Sequence, residues 1–547
     1  MVHPKIIYIK EETNCDMVRG SHARVYLFLF YIITLFTLII LRLTHLSLFS
    51  EKPVKIVGQN QKKINIRRGN ILDRNGIILA STIPTASAYI YPKHFNNSSM
   101  QSLKRISEVL NINIEEISKR IVNNNQFVWL KRHLTPLEQQ DLHNLGIPGV
   151  YFQSDQKRFY PQKNLFSHII GLVDVDNNGI SGMELYSDKY LKDRGFGHKQ
   201  NLKTSLDTRI QYIVREELEK NINLHNATGG IAIIMNVNSG EIISSVSLPD
   251  FNPNIVSVKQ DKRFFNQVTS GVYEMGSVLK SITLAIGIDS GKISINDSFD
   301  VSKPIKIDKF QVTDYRGGRG RELSIPEIFM YSSNIGVAHI IKKVGINVQQ
   351  EYFRELGLLS KTSVEVPEIS KPIFPLNKDW RELNSVTMSY GYGISITPVH
   401  LIQAFSAIIN QGILNKATLI KGKNNNLKGK IVFKKSTSVL MTKLLRLSAM
   451  KGIAKKANID SYLVGAKTGT AEKIIHGRYN KSLNIAFCVA AFPMTKPEYA
   501  IFVLIDEPKK NKINHGFATG GTVAAPLISN ILKRTVLILD RNSILRY

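Results

Sequence analysis

Residues 25–41 (VYLFLFYIITLFTLIIL) run without a charge between Arg24 and Arg42. At about 1.5 Å per helical residue this run reaches roughly 25 Å, the short end of a bilayer crossing, and residues 43–49 can extend it. The run is longer than the apolar core of a signal peptide, and no small-x-small cleavage pattern follows it. The pattern therefore predicts an uncleaved signal anchor over residues 25–46, and no second run of that length follows. Lys5, Lys10, Arg19 and Arg24 precede the run, while Arg42, Lys52 and Lys55 follow it. The charge rule thus gives only a mild preference for residues 1–24 as a cytoplasmic tail.

Beyond the anchor the periodicity divides the chain again. Residues 50–222 read as a mixed region. Apolar alternation around Asn75-Gly76 predicts a β-hairpin within residues 64–77, and residues 100–147 carry helical periodicity broken by polar loops. Gly171, Gly179 and Gly182 mark turns, and the region reads as scaffold without chemistry of its own. Residues 204–207 (TSLD) lead into an amphipathic helix over 210–220 that could link this region to the next. From Ala227 the pattern changes. Two apolar runs, 230–237 and 240–247, flank the turn Asn238-Ser239-Gly240 and read as paired strands. Helical stretches follow, and strand-like runs return near residues 463 and 485. Strands at both ends with helices between them predict an α/β domain over 225–540 whose sheet is completed late.

Composition narrows the picture modestly. A chain of 547 residues predicts two or three domains, and 43% hydrophobic residues suffice for buried cores. The net charge of +29 could suggest nucleic acid. The lysines, however, are spread among Asn and Ile residues without a basic stripe, so no nucleic-acid partner is expected. Cys15 and Cys488 fall on opposite sides of the predicted anchor and cannot pair. Cys488, inside Ile485-Ala486-Phe487-Cys488-Val489, reads as a buried strand residue, and no cysteine metal site or cofactor is expected.

The candidate chemistry lies in three short patterns in fixed order. They are Ser277-Val278-Leu279-Lys280, Ser332-Ser333-Asn334 and Lys467-Thr468-Gly469-Thr470. The first two recur elsewhere (Ser154 to Lys157, Ser448 to Lys451, Ser294 to Asn296, Ser482 to Asn484), whereas Lys-Thr-Gly occurs once. Context favours Ser277. A glycine before an apolar periodic segment puts it at a helix start, with Lys280 one turn away on the same face. A serine hydroxyl attacks only if a neighbour removes its proton, and a lysine does so only when burial or a nearby cation lowers its pKa. Lys467 is a source of that cationic field. An inter-helix loop would present Ser332 as a proton relay to the leaving amine and Asn334 as a contact to the substrate backbone; an isolated Ser-Ser-Asn is otherwise a helix cap. Gly469 on a strand edge allows close backbone approach, and Lys467 with Thr468 and Thr470 suits a terminal carboxylate. The N–H groups of Ser277 and Thr470 could form an oxyanion hole, where loss of one donor slows such reactions about 10² to 10³-fold.

The three patterns together, with Arg68-Gly69-Asn70-Ile71-Leu72-Asp73-Arg74-Asn75-Gly76, Gly182-Met183-Glu184, Tyr273-Glu274-Met275-Gly276-Ser277 and Ser389-Tyr390-Gly391-Tyr392-Gly393, resemble class B penicillin-binding proteins. The Tyr-Gly-Tyr-Gly stretch and Ala466-Lys467-Thr468-Gly469-Thr470-Ala471 resemble the division-specific FtsI type more than the elongation-specific type. The resemblance covers nearly the whole chain after residue 25. It implies a single-pass inner-membrane protein with a non-catalytic α+β pedestal and a periplasmic penicillin-binding domain. The fold implied for that domain is β-lactamase-like, an antiparallel sheet with helices on both faces and an all-helical subregion. The implied activity is D,D-transpeptidation of septal peptidoglycan, in which the serine attacks D-Ala-D-Ala stem peptides and is also acylated by β-lactams. Divisome membrane proteins, including a septal glycosyltransferase, are the implied partners. Met275 departs from the proline common at its position, and Gly317-Gly318-Arg319-Gly320 suggests an unusual basic flexible loop.

Three other readings use similar parts. An elongation-specific transpeptidase differs only in cellular duty. A β-lactamase would have little use for an anchor and pedestal, and a penicillin sensor usually needs several spans and a cytoplasmic effector. A catalytically dead scaffold is disfavoured by the intact Ser277, Lys280 and Lys467.

Overall fold

The computed structural model describes residues 15–49, 68–92, 100–122, 127–192, 200–255, 261–314, 321–376, 379–424, 428–459, 462–475 and 477–539. The tail before residue 15, the first four residues of the expected 64–77 hairpin and the basic glycine loop at 317–320 lie outside them.

The chain divides into two units, Met1–Asn65 and Ile66–Tyr547. The first holds helix α1 (Cys15–Phe49). Its stretch Arg24–His45 has mean hydropathy 2.3 and is exposed throughout, with length and composition sufficient to cross a membrane. Thr34 and Thr37 turn their hydroxyls back to the carbonyls of Phe30 and Ile33, so few polar groups are left on that surface.

The second unit begins with a small sheet. Strand β1 (Ile71–Leu72) pairs antiparallel with β2 (Ile78–Ile90), and the latter pairs with β3 (Val128–Leu134) and β4 (Val150–Phe159). β1 also runs parallel to β5 (Leu202–Lys203). The turn between β1 and β2 is closed by Asp73, whose carboxylate accepts from Asn75 N–H and Ile77 N–H, with Gly76 at φ +94°. Helices Met100–Leu110, Ile114–Val122 and Pro136–Asn144 cover one side around Ile106, Leu110, Ile117 and Leu142.

The stretch expected to hold only turns instead forms a short helix, Gly182–Tyr186, that buries an ion cluster. Glu184 is fully buried and bonds Arg68 Nε at 2.6 Å and Arg158 Nε at 2.7 Å; Arg68 also reaches Asp188 at 2.6 Å. The Gly182 N–H donates to Glu368 at 3.0 Å, which joins this region to the domain that follows.

That domain is built on five antiparallel strands. They are β6 (Gly229–Asn236), β7 (Ile242–Leu248), β8 (Gly465–Ile475), β9 (Arg478–Phe492) and β10 (Tyr499–Asp506), in the order β8-β9-β10-β6-β7. β6 and β7 fall where the two apolar runs predict them, with Gly240 at φ +74° in the turn. Helix α2 (Thr208–Leu224), capped by Asp207, lies on one face of this sheet through Ile210, Val214 and Leu218. The C-terminal helix (Ala525–Leu539) shares that face through Leu527, Ile528, Ile531 and Leu532. Residues 520–539 also have the length and hydropathy of a span, but 56% of the stretch is buried, as suits a core helix.

The other face carries the larger core. Helices α3 (Lys280–Asp289), α4 (Ile325–Tyr331), α5 (Asn334–Val344), α6 (Pro398–Ile409) and α7 (Lys435–Lys451) meet there. They form the helical subregion between β7 and β8. Cys488 on β9 is fully buried in the core on the α2 side of the sheet.

Candidate active site

Three backbone segments converge where the first and third patterns meet. Gly276, at φ +51°, opens a 3-10 turn (Gly276–Leu279) that continues into α3, so Ser277 sits in the turn and Lys280 is the first residue of the helix. A Cβ on Gly276 would lie 2.9 Å from Thr470 O, and one on Gly391 would lie 2.0 Å from Gly276 O. Only glycine at both positions lets the nucleophile turn, the 389–393 loop and β8 approach this closely. The Gly276 N–H donates to Gly391 O at 3.2 Å and fixes the contact.

The second pattern lies between two helices, as its flanks predict, and it also caps both. Ser332 ends α4 in a left-handed conformation (φ +60°), and Ser333 begins α5 by accepting from Gly336 N–H at 2.9 Å. Because the middle serine does the capping, Ser332 and Asn334 are left to face the lysines. Lys280 Nζ donates to Ser332 O at 2.5 Å and Asn334 Oδ1 at 2.7 Å, and lies 3.2 Å from Ser332 Oγ. Lys467 Nζ donates to the same hydroxyl at 2.8 Å and lies 5.7 Å from the centroid of the Phe329 ring. Among the described residues, Ser277 Oγ takes none of the Lys280 bonds. Ser277 is half-buried one turn before that amine.

Both amines are out of water. Lys280 is fully buried and Lys467 is 1% exposed. Burial pushes the Lys280 pKa well below the ordinary lysine value, the Lys467 charge pushes it further, and Asp314 opposes both. Burial brings Lys467 down to about 7. The Cys488 thiol behind it is pushed up by burial and stays neutral.

Strand alternation separates the third pattern into two sets. Lys467, Gly469 and Ala471 share the α3 side, whereas Thr468 and Thr470 share the side of Ala466. Thr470 Oγ1 accepts from Gly520 N–H at 3.0 Å. The line between the two sets is the edge of β8 that no strand pairs with among the described residues, β8 being outermost in the sheet. The rival serines stand apart. Ser154 pairs with Ala86 inside the small sheet, Ser448 is buried in α7, and Ser294 and Ser482 close local turns.

Asp314 escaped the sequence reading. Its carboxylate accepts from Ser333 Oγ at 2.6 Å, Asn334 N–H at 2.5 Å and Ile335 N–H at 3.0 Å, and Asn334 Nδ2 donates to Thr313 O at 2.9 Å. It clamps the 332–334 segment in place. Nothing in the local sequence marks it, because its partners lie 19 to 21 residues ahead.

Comparison with known proteins covers most of the chain. Residues 63–221 match the penicillin-binding protein dimerisation domain, and residues 230–533 match the penicillin-binding protein transpeptidase domain. The probable peptidoglycan D,D-transpeptidase FtsI of Caulobacter vibrioides is 31% identical, over 85% of this chain and 80% of that protein. The peptidoglycan D,D-transpeptidase FtsI of Escherichia coli K12 is 28% identical over 86% and 83%, respectively. The probable transpeptidase PenA of Neisseria meningitidis is 28% identical over 98% and 96%. A peptidoglycan synthetase from Bifidobacterium adolescentis shares the fold, with TM-score 0.67 and 20% identity over 87% of this chain and 96% of that one. With more than half its length matched by the transpeptidase domain and the preceding region by the dimerisation domain, the chain belongs to the penicillin-binding protein transpeptidases.

Proposed function

We propose that this protein is a membrane-anchored serine D,D-transpeptidase that cross-links peptidoglycan stem peptides, with Ser277 as its nucleophile. The observation that carries the reading is one hydroxyl, Ser332 Oγ, held between two buried amines beside a serine at a helix start.

Lys280, neutral by burial, takes the Ser277 proton as Oγ attacks the carbonyl carbon of the penultimate D-Ala. The oxyanion is met by the N–H groups of Ser277 and Thr470. The C–N bond breaks, and the leaving D-Ala amine receives a proton passed from the lysines through Ser332. An acceptor amine then attacks the ester, forms the new amide and returns the proton to Ser277 by the same route. Asn334 contacts the donor backbone, which lies along the β8 edge, and Lys467, Thr468 and Thr470 take its terminal carboxylate. A β-lactam, whose ring amide stands in for the D-Ala-D-Ala bond, acylates the same oxygen.

Septal duty is in line with the relatives named FtsI, and the partners we propose are divisome membrane proteins, including a septal glycosyltransferase. We place residues 50–222 as a pedestal and 225–540 as the catalytic domain, outside the cytoplasm and behind the α1 anchor. Labelled penicillin tests the core of the reading. Wild type becomes labelled and Ser277→Ala does not; label retained in Ser277→Ala would remove Ser277 from the role. Depletion tests the septal assignment, with filamentous cells expected and rounded cells pointing to elongation.

A further inference from the structure

Three residues before the nucleophile, Glu274 occupies a setting unusual for a carboxyl group. It is 8% exposed and has no lysine or arginine partner among the described residues. Oε1 accepts from Gly393 N–H at 2.6 Å and from Tyr479 O–H at 3.1 Å. Oε2 is buried with no hydrogen-bond partner. The two donors come from segments far apart in sequence. Gly393 belongs to the loop whose Gly391 packs on Gly276, and Tyr479 stands on β9 just after its hairpin with β8. The Tyr392 and Tyr479 rings meet edge to face at 5.7 Å, and Tyr390 lies 6.0 Å from Tyr392.

We infer that Glu274 is a positioning residue for Ser277, joining the nucleophile turn, the 389–393 loop and the β8–β9 hairpin at a single oxygen. Its carboxyl adds a side-chain link where the turn otherwise meets the loop through the Gly276–Gly391 hydrogen bond and meets β8 through packing of Val278 against Gly469. This inference rests on the function proposed for Ser277.

The neutral acid fits the site better than the carboxylate. A carboxylate spreads charge over both oxygens, and leaving one buried and unpartnered is costly. In the acid, the carbonyl oxygen accepts both bonds, and the unpartnered Oε2 carries a neutral hydroxyl, a smaller cost than a stranded charge. Burial accordingly raises the Glu274 pKa above the ordinary carboxyl value, against the opposing effect of its two donors. The titratable groups around it are Tyr479 from β9, Tyr392 and Tyr390 from the loop, Glu472 of β8 beside Tyr392, and Tyr273 on its own segment. None of them supplies a positive charge that would favour ionisation.

Glutamine reproduces the acid, with its amide oxygen in place of Oε1 and its NH2 group in place of the protonated Oε2. The test compares acylation by labelled penicillin in wild type, Glu274→Gln and Glu274→Ala from pH 5 to 9, with thermal melting of each. Glu274→Gln is expected to acylate within about threefold of wild type at pH 6, its amide standing in for the neutral acid. Glu274→Ala is expected to be at least about tenfold slower, as a displaced turn misplaces the attacking oxygen. A Glu274→Gln variant as slow as Glu274→Ala overturns the inference. Equal rates in all three also overturn it and leave the role of Ser277 intact. Failure of wild type itself to be labelled would instead overturn the proposed function.

Discussion

Lys280 and Lys467, 187 positions apart in sequence, are bridged by one oxygen, with Ser332 Oγ 3.2 Å from the first amine and 2.8 Å from the second. Two buried ammonium groups this close repel each other strongly, so the pair favours the loss of a proton. A shared proton and one lone pair are what a base and an acid of opposite duty require.

Replacing Lys280 should therefore slow acylation steeply and barely disturb the fold. Lys280→Ala removes the base and is expected to slow labelling by penicillin about 10² to 10⁴-fold, the usual range for a general base. Desolvating the Lys280 amine is itself unfavourable and offsets its hydrogen bonds, so the melting temperature of the variant should stay near that of wild type. A loss of labelling with intact melting is the expected result of the paired measurement.

The Lys467 pKa of about 7 makes a prediction about stability as well as rate. An unfolded lysine keeps its proton to about pH 10.4. Between about pH 7 and pH 10 the unfolded chain then binds more protons than the folded one, and stability rises with pH. The Lys467 contribution is present above the unfolded pKa and is lost as pH falls through about 7. Melting of wild type and Lys467→Met at pH 7 and pH 9 should show a larger upward shift in wild type.

Asp314 offers a separable test of the relay loop. Asp314→Ala removes the acceptor for three donors and frees Ser332 to leave its left-handed conformation. Acylation should fall by about tenfold or more, consistent with the sensitivity of catalysis to small misplacements. Asp314→Asn keeps one acceptor oxygen and should fall between wild type and alanine.

The buried ion cluster around Glu184 should matter for folding and not for chemistry. Glu184→Ala leaves Arg68 and Arg158 without their shared carboxylate, and breaking such a pair typically costs about 3 to 5 kcal/mol. Expected outcomes are a lower melting temperature and, at 10 °C, acylation by penicillin close to wild type.

Much of this arrangement is legible along the chain because its signals are local. The glycine before Ser277, the one-turn spacing to Lys280 and the lone Lys-Thr-Gly each mark a backbone geometry that a few residues define. The β6–β7 pair is equally local, since its turn residues lie between its strands. Asp314 and Glu274 are legible only in three dimensions, because their partners come from segments that tertiary folding brings together. The same is true of Glu184. Its glycine-rich surroundings suggest turns, and only the meeting with Arg68 and Arg158, 116 and 26 residues away, explains a buried carboxylate there. The alternation that sends Lys467 and Thr468 to opposite faces is readable from period two alone, but not which face looks onto Ser332.

The unpaired side of β8 carries a risk along with its use. An outermost strand with free amide and carbonyl groups accepts any extended chain, and a second copy of the protein could add there as readily as a peptide. The register break between Glu472 and Lys473 interrupts the ladder a few residues past Thr470. It shortens the straight edge to about the length of a peptide end, so the strand can template a brief, reversible addition but not a continuous sheet between molecules.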